Sequence, residues 1–186
     1  MNVEKIFEKS GAILKGHFLL TSGLHSPVYW EKFQVLQFPK YTGQLCRMIT
    51  NYFLGQAIQV VAGPTTGGVI LAFESARQLG VRSIFAEKDS SGGRAFRRGF
   101  EIDAGERVLI VDDILTTGSS VREVTTAVTS QGGVIVGIGV LVDRSEQAID
   151  FGVPLFSCHR APVVTYHPEN CPLCAAQVPL VKPGGS

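Results

Sequence analysis

A chain of 186 residues with 45% hydrophobic and 18% charged side chains fits one globular domain, long enough to bury a sizeable core. Its net charge of +1 supplies no global field for nucleic acid or anionic membrane, so any anion site has to be built locally. No apolar run approaches the roughly 20 residues that span a bilayer, and the charged opening (Glu4, Lys5, Glu8, Lys9) has no signal-peptide core.

These exclusions lead us to expect a cytoplasmic protein whose Cys46, Cys158, Cys171 and Cys174 are thiols or metal ligands, not disulfides. Residues 3–14 read as an amphipathic helix with Val3, Ile6, Phe7, Ile13 and Leu14 on one face, stopped by Gly16. Residues 17–20 and 27–33 read as strands around a Ser22-Gly23 turn. Pro39 opens a helix through about Leu54, ended by Gly55. Strands are expected at 59–62, 81–86, 108–111 and 134–142, and helices at 66–79 and 119–130. Continuous Val/Ile/Leu strands alternating with helices predict an α/β fold, a mainly parallel sheet with helices on both faces. The Pro- and Gly-rich tail after Pro162 is expected to wrap the surface. Residues 88–103 form a connection far longer than the usual 2–6 residues, basic and glycine-bearing, as lids and binding loops are.

The most informative segment begins on the apolar strand at Val108. The strand delivers Asp112 and Asp113, and after Ile114 and Leu115 a turn of Thr116, Thr117, Gly118, Ser119 and Ser120 opens a helix. Outward N–H groups, four hydroxyls and a helix N-terminus suit a phosphate. The carboxylates would repel a phosphate but suit a sugar's vicinal hydroxyls, or Mg²⁺ held through water. A diol site beside a phosphate nest describes a ribose 5-phosphate. A P-loop would require Lys after Gly118, where Ser119 stands. A dinucleotide fingerprint fails because Gly137-Ile138-Gly139 runs on to Val142 inside a strand.

Residues 108–120 resemble the 5-phosphoribosyl pyrophosphate signature of type I phosphoribosyltransferases. The resemblance implies that Asp112 and Asp113 meet the ribose hydroxyls and that residues 116–120 wrap the 5-phosphate. Most of the chain is similar to the orotate phosphoribosyltransferase family. Residues 16–30, with Gly16, Ser22, Gly23, Ser26, Tyr29 and Trp30, resemble its N-terminal hood, which implies that Tyr29 and Trp30 stack on orotate. Gly63-Pro64-Thr65-Thr66-Gly67-Gly68 resembles its pyrophosphate loop, with Thr65, Thr66 and Gly67 as contacts. Arg144 stands where the family places an arginine over the base, and Thr116 gains an orotate contact by the same resemblance.

Phe85-Ala86-Glu87-Lys88 resembles the entry to the family's catalytic lid, which implies catalytic roles for Lys88, Arg97 and Arg98 together with Asp113, and a lid shared across a homodimer. Many orotate enzymes carry Lys where this chain has Thr21 and Gly67, and their lids often hold Lys and His where it has residues 89–93. The chain is thus similar to a divergent branch whose lid charge comes from Arg94, Arg97 and Arg98. The organisation expected is a single type I phosphoribosyltransferase domain over 1–186, with 37–157 as core and 1–36 plus 158–186 as hood and tail. The implied cofactor is Mg²⁺, carried by the sugar pyrophosphate without direct protein ligands, and no nucleic-acid or membrane partner is expected. The implied reaction joins a phosphoribosyl group to orotate in pyrimidine biosynthesis. Its rivals are a purine phosphoribosyltransferase and a non-catalytic regulator that senses the sugar phosphate.

Cys171-Pro172-Leu173-Cys174 has the spacing of half a zinc site, with Cys158, His159 and His167 the nearest further ligands in sequence. A similar tail in the divergent branch implies a structural feature without separate chemistry.

Overall fold

The computed structural model describes residues 3–20, 22–90, 92–161 and 164–183. Thr21, Pro162 and, within the basic loop at 88–103, Ser91 lie outside the described residues.

The first helix is shorter than expected: α1 spans Val3–Lys9 and buries Val3, Ile6 and Phe7. Ser10 closes it by donating its hydroxyl to the Phe7 carbonyl, and Gly11 turns the chain out at φ 71°. Ile13 and Leu14 therefore belong to strand β1 (Ile13–Leu19), which pairs antiparallel with β2 (His25–Trp30). Helical spacing of apolar residues had carried the expected helix through what is a strand. The chain then turns through α2 (Lys32–Leu36), where the sequence suggested the end of a strand, into α3 (Pro39–Tyr52).

The central sheet is built from β3 (Val60–Pro64), β4 (Arg82–Lys88), β5 (Arg94–Phe96), β6 (Arg107–Leu115), β7 (Val134–Asp143) and β8 (Leu155–Arg160). Its strand order is β5-β4-β3-β6-β7-β8, all parallel except the β4–β5 hairpin. Two elements were not predicted: β5, inside the expected lid, and edge strand β8, whose residues are half-exposed or exposed and lack an apolar run. Helix α4 (Gly67–Leu79) connects β3 outward to β4, and α5 (Ser119–Ser130) connects β6 outward to β7. The winding reverses between β3 and β6, and a crevice at the carboxyl ends of such strands is where open α/β sheets bind ligands.

The alternation of strand residues divides the core in two. Val61, Leu109 and Val111 pack with α3 and α4, whereas Val60, Ala62, Val108, Ile110, Ile138 and Val140 pack with α5. Gly137 and Gly139 face α3, where a Cβ would collide with Phe53 and Ile49 respectively. These glycines let a helix approach the sheet, which is why they sit mid-strand without a nucleotide fingerprint.

The tail does more than cover surface. Val181 exchanges backbone hydrogen bonds with β1 (Leu19 N–H to Val181 O, 2.9 Å; Val181 N–H to His17 O, 2.8 Å). Tyr166 does the same with His25 at the start of β2. Between these two contacts it forms a 3-10 turn (Pro168–Asn170) and the single turn α6 (Pro172–Ala175), against the hood.

Candidate active site

Strand β6 carries Asp112 and Asp113 into the β3/β6 crevice, both buried. Asp112 accepts from the Asp113 N–H at 2.8 Å, and Asp113 from the Ile114 N–H at 2.7 Å, so the backbone holds each carboxylate. Burial, and then the neighbouring Asp113 charge, push the Asp112 carboxyl up to about 7. Lys32, at the start of α2, reaches across the crevice to Asp113 with Nζ 3.0 Å from Oδ2 and 3.1 Å from Oδ1. Sequence reasoning missed Lys32, because it lies 81 residues from its partner on a helix read as strand.

Gly67 explains a departure from the family pattern. A Cβ there would collide with the Asp113 carboxylate, so in this chain the position is closed to a lysine. The cation beside that carboxylate is Lys32 instead. Gly63 and Gly68 are equally constrained, because their Cβ atoms would meet each other's turn at backbone distance.

Two helix N-termini open onto this crevice. α4 follows the Thr65-Thr66 turn and α5 follows Gly118; neither N-cap residue supplies a side-chain hydrogen bond, and at α5 the Ser119 N–H donates to Thr117 Oγ1 at 3.4 Å. Gly118 sits at φ 78°, with the Phe151 ring 2.9 Å from where a Cβ would be, so both conformation and space demand glycine. Thr116, Thr117 and Ser119 are exposed and Ser120 half-buried, their hydroxyls on the rim. Paired helix starts with open N–H donors attract anions from two sides. Ile114 and Leu115 contribute backbone only, since their side chains pack into the core.

Arg144 follows β7 and is buried, its N–H donating to Leu115 O at 2.8 Å. Its Nε has no hydrogen-bond partner among the described residues. Burial lowers its pKa, partly offset by Tyr29. Tyr29 is half-buried, its phenol raised by burial and by Glu31, and it senses the charges of Lys32 and Arg144. Trp30 does not share this position. Neighbouring strand residues point to opposite faces, and Trp30 is buried with its ring 5.0 Å from Phe7 and 5.6 Å from His159. The expectation that Trp30 stacks on a ligand is therefore corrected: its ring belongs to the core, and of the two only the Tyr29 ring remains half-exposed.

The expected lid is partly a hairpin. Lys88 pairs with Arg94, and Asp89 closes the tip by accepting from the Gly93 N–H. The Arg94 side chain is buried, donates to Thr65 Oγ1 at 3.1 Å, and lies 3.1 Å from Glu123, too poorly aligned there for a hydrogen bond. It anchors the hairpin to the crevice floor. Arg98 forms a two-pronged pair with Glu87 and lies over Phe85, whereas Lys88 and Arg97 are exposed.

The tail cysteines meet different partners from those nearest in sequence. Cys158 donates to Leu45 O beside Cys46, and His159 packs against Trp30 with the rings tilted by 34°. His17 and His25 of the hood approach Cys171 and Cys174 instead. Neither histidine was read as a ligand, since only three-dimensional pairing brings them there.

Residues 41–151 match the model of the phosphoribosyl transferase domain family. An orotate phosphoribosyltransferase of Pelotomaculum thermopropionicum is 53% identical over 96% of this chain and 94% of its own length. One of Caldanaerobacter subterraneus is 51% identical over 98% and 95%. The crystal structure of orotate phosphoribosyltransferase from Aeropyrum pernix superposes with a TM-score of 0.75 at 27% identity, covering 86% of this chain and 93% of that one. On this fold, this crevice and this likeness, the chain belongs to the orotate phosphoribosyltransferase family.

Proposed function

We propose that the chain transfers the 5-phosphoribosyl group of 5-phosphoribosyl 1-pyrophosphate to orotate, yielding orotidine 5′-monophosphate and pyrophosphate. The observation that carries the choice of base is Arg144. A buried guanidinium whose Nε lacks a partner among the described residues calls for an anionic acceptor. Orotate brings a carboxylate, whereas a purine brings none. Tyr29, within reach of the Arg144 charge, offers a ring for the flat pyrimidine, and Thr116 a hydroxyl beside it.

The ribose 5-phosphate fits the Thr116–Ser120 turn and the α5 N-terminus, and the pyrophosphate fits Thr65, Thr66 and the α4 N-terminus. Asp112 and Asp113 receive the 2′- and 3′-hydroxyls. Asp113 is already tied to Lys32, so these carboxylates are not a dedicated metal cage. Asp112 and Asp113 would hold Mg²⁺ through water, without direct ligation, and the ion would supply charge neutralisation to the leaving group. The ring nitrogen forms a bond to C1 while the C1–O bond breaks and its electron pair departs with pyrophosphate. The ring proton passes to water or pyrophosphate. The protein's contribution is positioning, cation stabilisation of the leaving group, and exclusion of water that would hydrolyse the activated sugar. In this reading Lys88 and Arg97 serve as the lid cations, and Arg98, paired with Glu87, shapes the lid.

The chain works as a cytoplasmic homodimer in this reading, with each lid serving a neighbour's site. Support comes from exposed Phe33, Phe38, Ile70 and Phe73 on the adjoining elements α2 to α4. No helix among the described residues is long and apolar enough to cross a membrane.

Incubation with orotate, 5-phosphoribosyl pyrophosphate and Mg²⁺, followed by quantification of both products, tests the assignment. Equal amounts of nucleotide and pyrophosphate are expected. Pyrophosphate without nucleotide would mean hydrolysis of the sugar and would sink the transfer reading.

A further inference from the structure

We propose that His17, His25, Cys171 and Cys174 bind a structural zinc ion that fastens the tail to the hood. One donor atom from each lies within 4.8 Å of all the others. His17 Nε2 is 2.9 Å from His25 Nδ1, 3.5 Å from Cys171 Sγ and 3.8 Å from Cys174 Sγ, and His25 Nδ1 is 3.3 Å from Cys174 Sγ. A tetrahedron with Zn–N near 2.0–2.1 Å and Zn–S near 2.3 Å has edges of roughly 3.3–3.8 Å. Three of the four observed separations fall in that range, and the histidine pair needs to open by only a few tenths of an ångström.

The surroundings prepare the donors. His17 Nδ1 lies 2.8 Å from Val178 O, an acceptor only, so Nδ1 carries the proton and Nε2 presents its lone pair to the cluster. A register shift between Lys15 and Phe18 in β1 places Gly16 and His17 opposite a single residue of β2. That bulge buries His17 and Phe18 consecutively, which strict alternation would forbid, and aims the imidazole at the tail. Cys171 precedes and Cys174 lies within the single-turn α6, so a C-x-x-C is folded around one point. His17, His25 and Cys171 are buried and Cys174 closes the outer side.

Two thiolates and two imidazoles select zinc over oxygen-seeking Mg²⁺ or Ca²⁺, and a site with four protein ligands leaves no open position for chemistry. Binding would release the two thiol protons. The location explains the need. A two-stranded hairpin is marginal by itself, and this one joins the tail at Val181 and Tyr166 through backbone pairs on opposite sides of the cluster. The metal would cross-link β1 and β2 to residues some 154 positions away, fixing the strand that carries Tyr29.

The test uses the full chain purified without added zinc. Elemental analysis should find about one zinc per chain, and Cys171→Ser with Cys174→Ser should lose it. Stripped, reduced wild-type protein reloaded with Co²⁺ should develop the intense visible bands of a tetrahedral thiolate site, even if the double variant folds poorly. Protease should cut the tail of the stripped protein faster than that of the zinc-loaded one. The proposal is overturned if stripped wild type takes up no more Zn²⁺ or Co²⁺ than the double variant. It is equally overturned if Cys171 and Cys174 form a disulfide in protein isolated under thiol protection.

Discussion

The crevice between β3 and β6 and the layer formed by hood and tail solve the same problem, holding side chains in a fixed geometry, by different means. The crevice is assembled from two continuous strand–turn–helix segments anchored in a doubly covered sheet, so its glycines, carboxylates and helix starts are set by neighbours in sequence. The hood and tail have no such platform. Their geometry depends on residues from opposite ends of the chain: His17 with Cys171, His25 with Tyr166, Phe18 with Val181. In the proposed function, the rigid frame would receive the sugar phosphate and the appended layer the base.

Arg144 lies where that layer meets the frame, and its loss should have the largest effect. Arg144→Ala should lower kcat/KM for orotate by at least about 100-fold, since a buried charged partner of the substrate disappears. Arg144→Lys should recover only part, because an ammonium cannot make the paired contact. An Ala variant with unaltered orotate kinetics would detach Arg144 from the base.

The two hood aromatics should separate cleanly. Trp30→Ala should cost about 3–5 kcal/mol of stability by leaving a cavity beside Phe7 and His159. Tyr29→Ala should leave the melting temperature nearly unchanged and raise KM for orotate. The reverse pattern would exchange their roles. For the lid, Arg97→Ala with Arg98→Ala should reduce turnover by about tenfold or more while orotate binding holds. Unchanged turnover in that double variant would remove the lid assignment.

Smaller effects are expected around the carboxylates. Lys32→Ala should weaken 5-phosphoribosyl pyrophosphate binding by about tenfold or less, because the Lys32 side chain is 37% exposed and its pair with Asp113 is screened. Asp112 supplies a pH signature. Its folded pKa is raised to about 7, above the roughly 3.9 of an unfolded chain, so the folded state holds a proton that the unfolded state has released. That contribution to stability is complete below about pH 4 and is lost as pH rises through the folded pKa. Melting temperature relative to Asp112→Asn should therefore fall between about pH 4 and 7 and level off above. A flat difference would place Asp112 in an ordinary solvated state.

Much of the crevice was legible because its determinants are local. The apolar strand ending in Asp112-Asp113, the turn at Gly118 and the Gly63–Gly68 loop each carry their constraint within a few residues. Lys32 was not legible, because nothing in residues 31–36 signals a partner on β6. Residues 13–14 were misread as helix because one apolar spacing suits both periods over so short a span. β8 was missed because an exposed edge strand lacks the apolar run that marks buried ones. The Cys171/Cys174 pair was recognised, but its histidines were sought nearby in sequence, whereas a bulge in β1 delivers His17 from the far end of the chain.

The most direct test of the central claim, that a buried arginine selects an acidic pyrimidine on a sugar-phosphate frame, is a comparison of initial rates. Orotate, uracil, adenine and hypoxanthine would each be offered with 5-phosphoribosyl pyrophosphate and Mg²⁺. The account predicts rapid loss of orotate absorbance and no measurable conversion of the other three. Conversion of uracil or a purine at a rate comparable to orotate would contradict it.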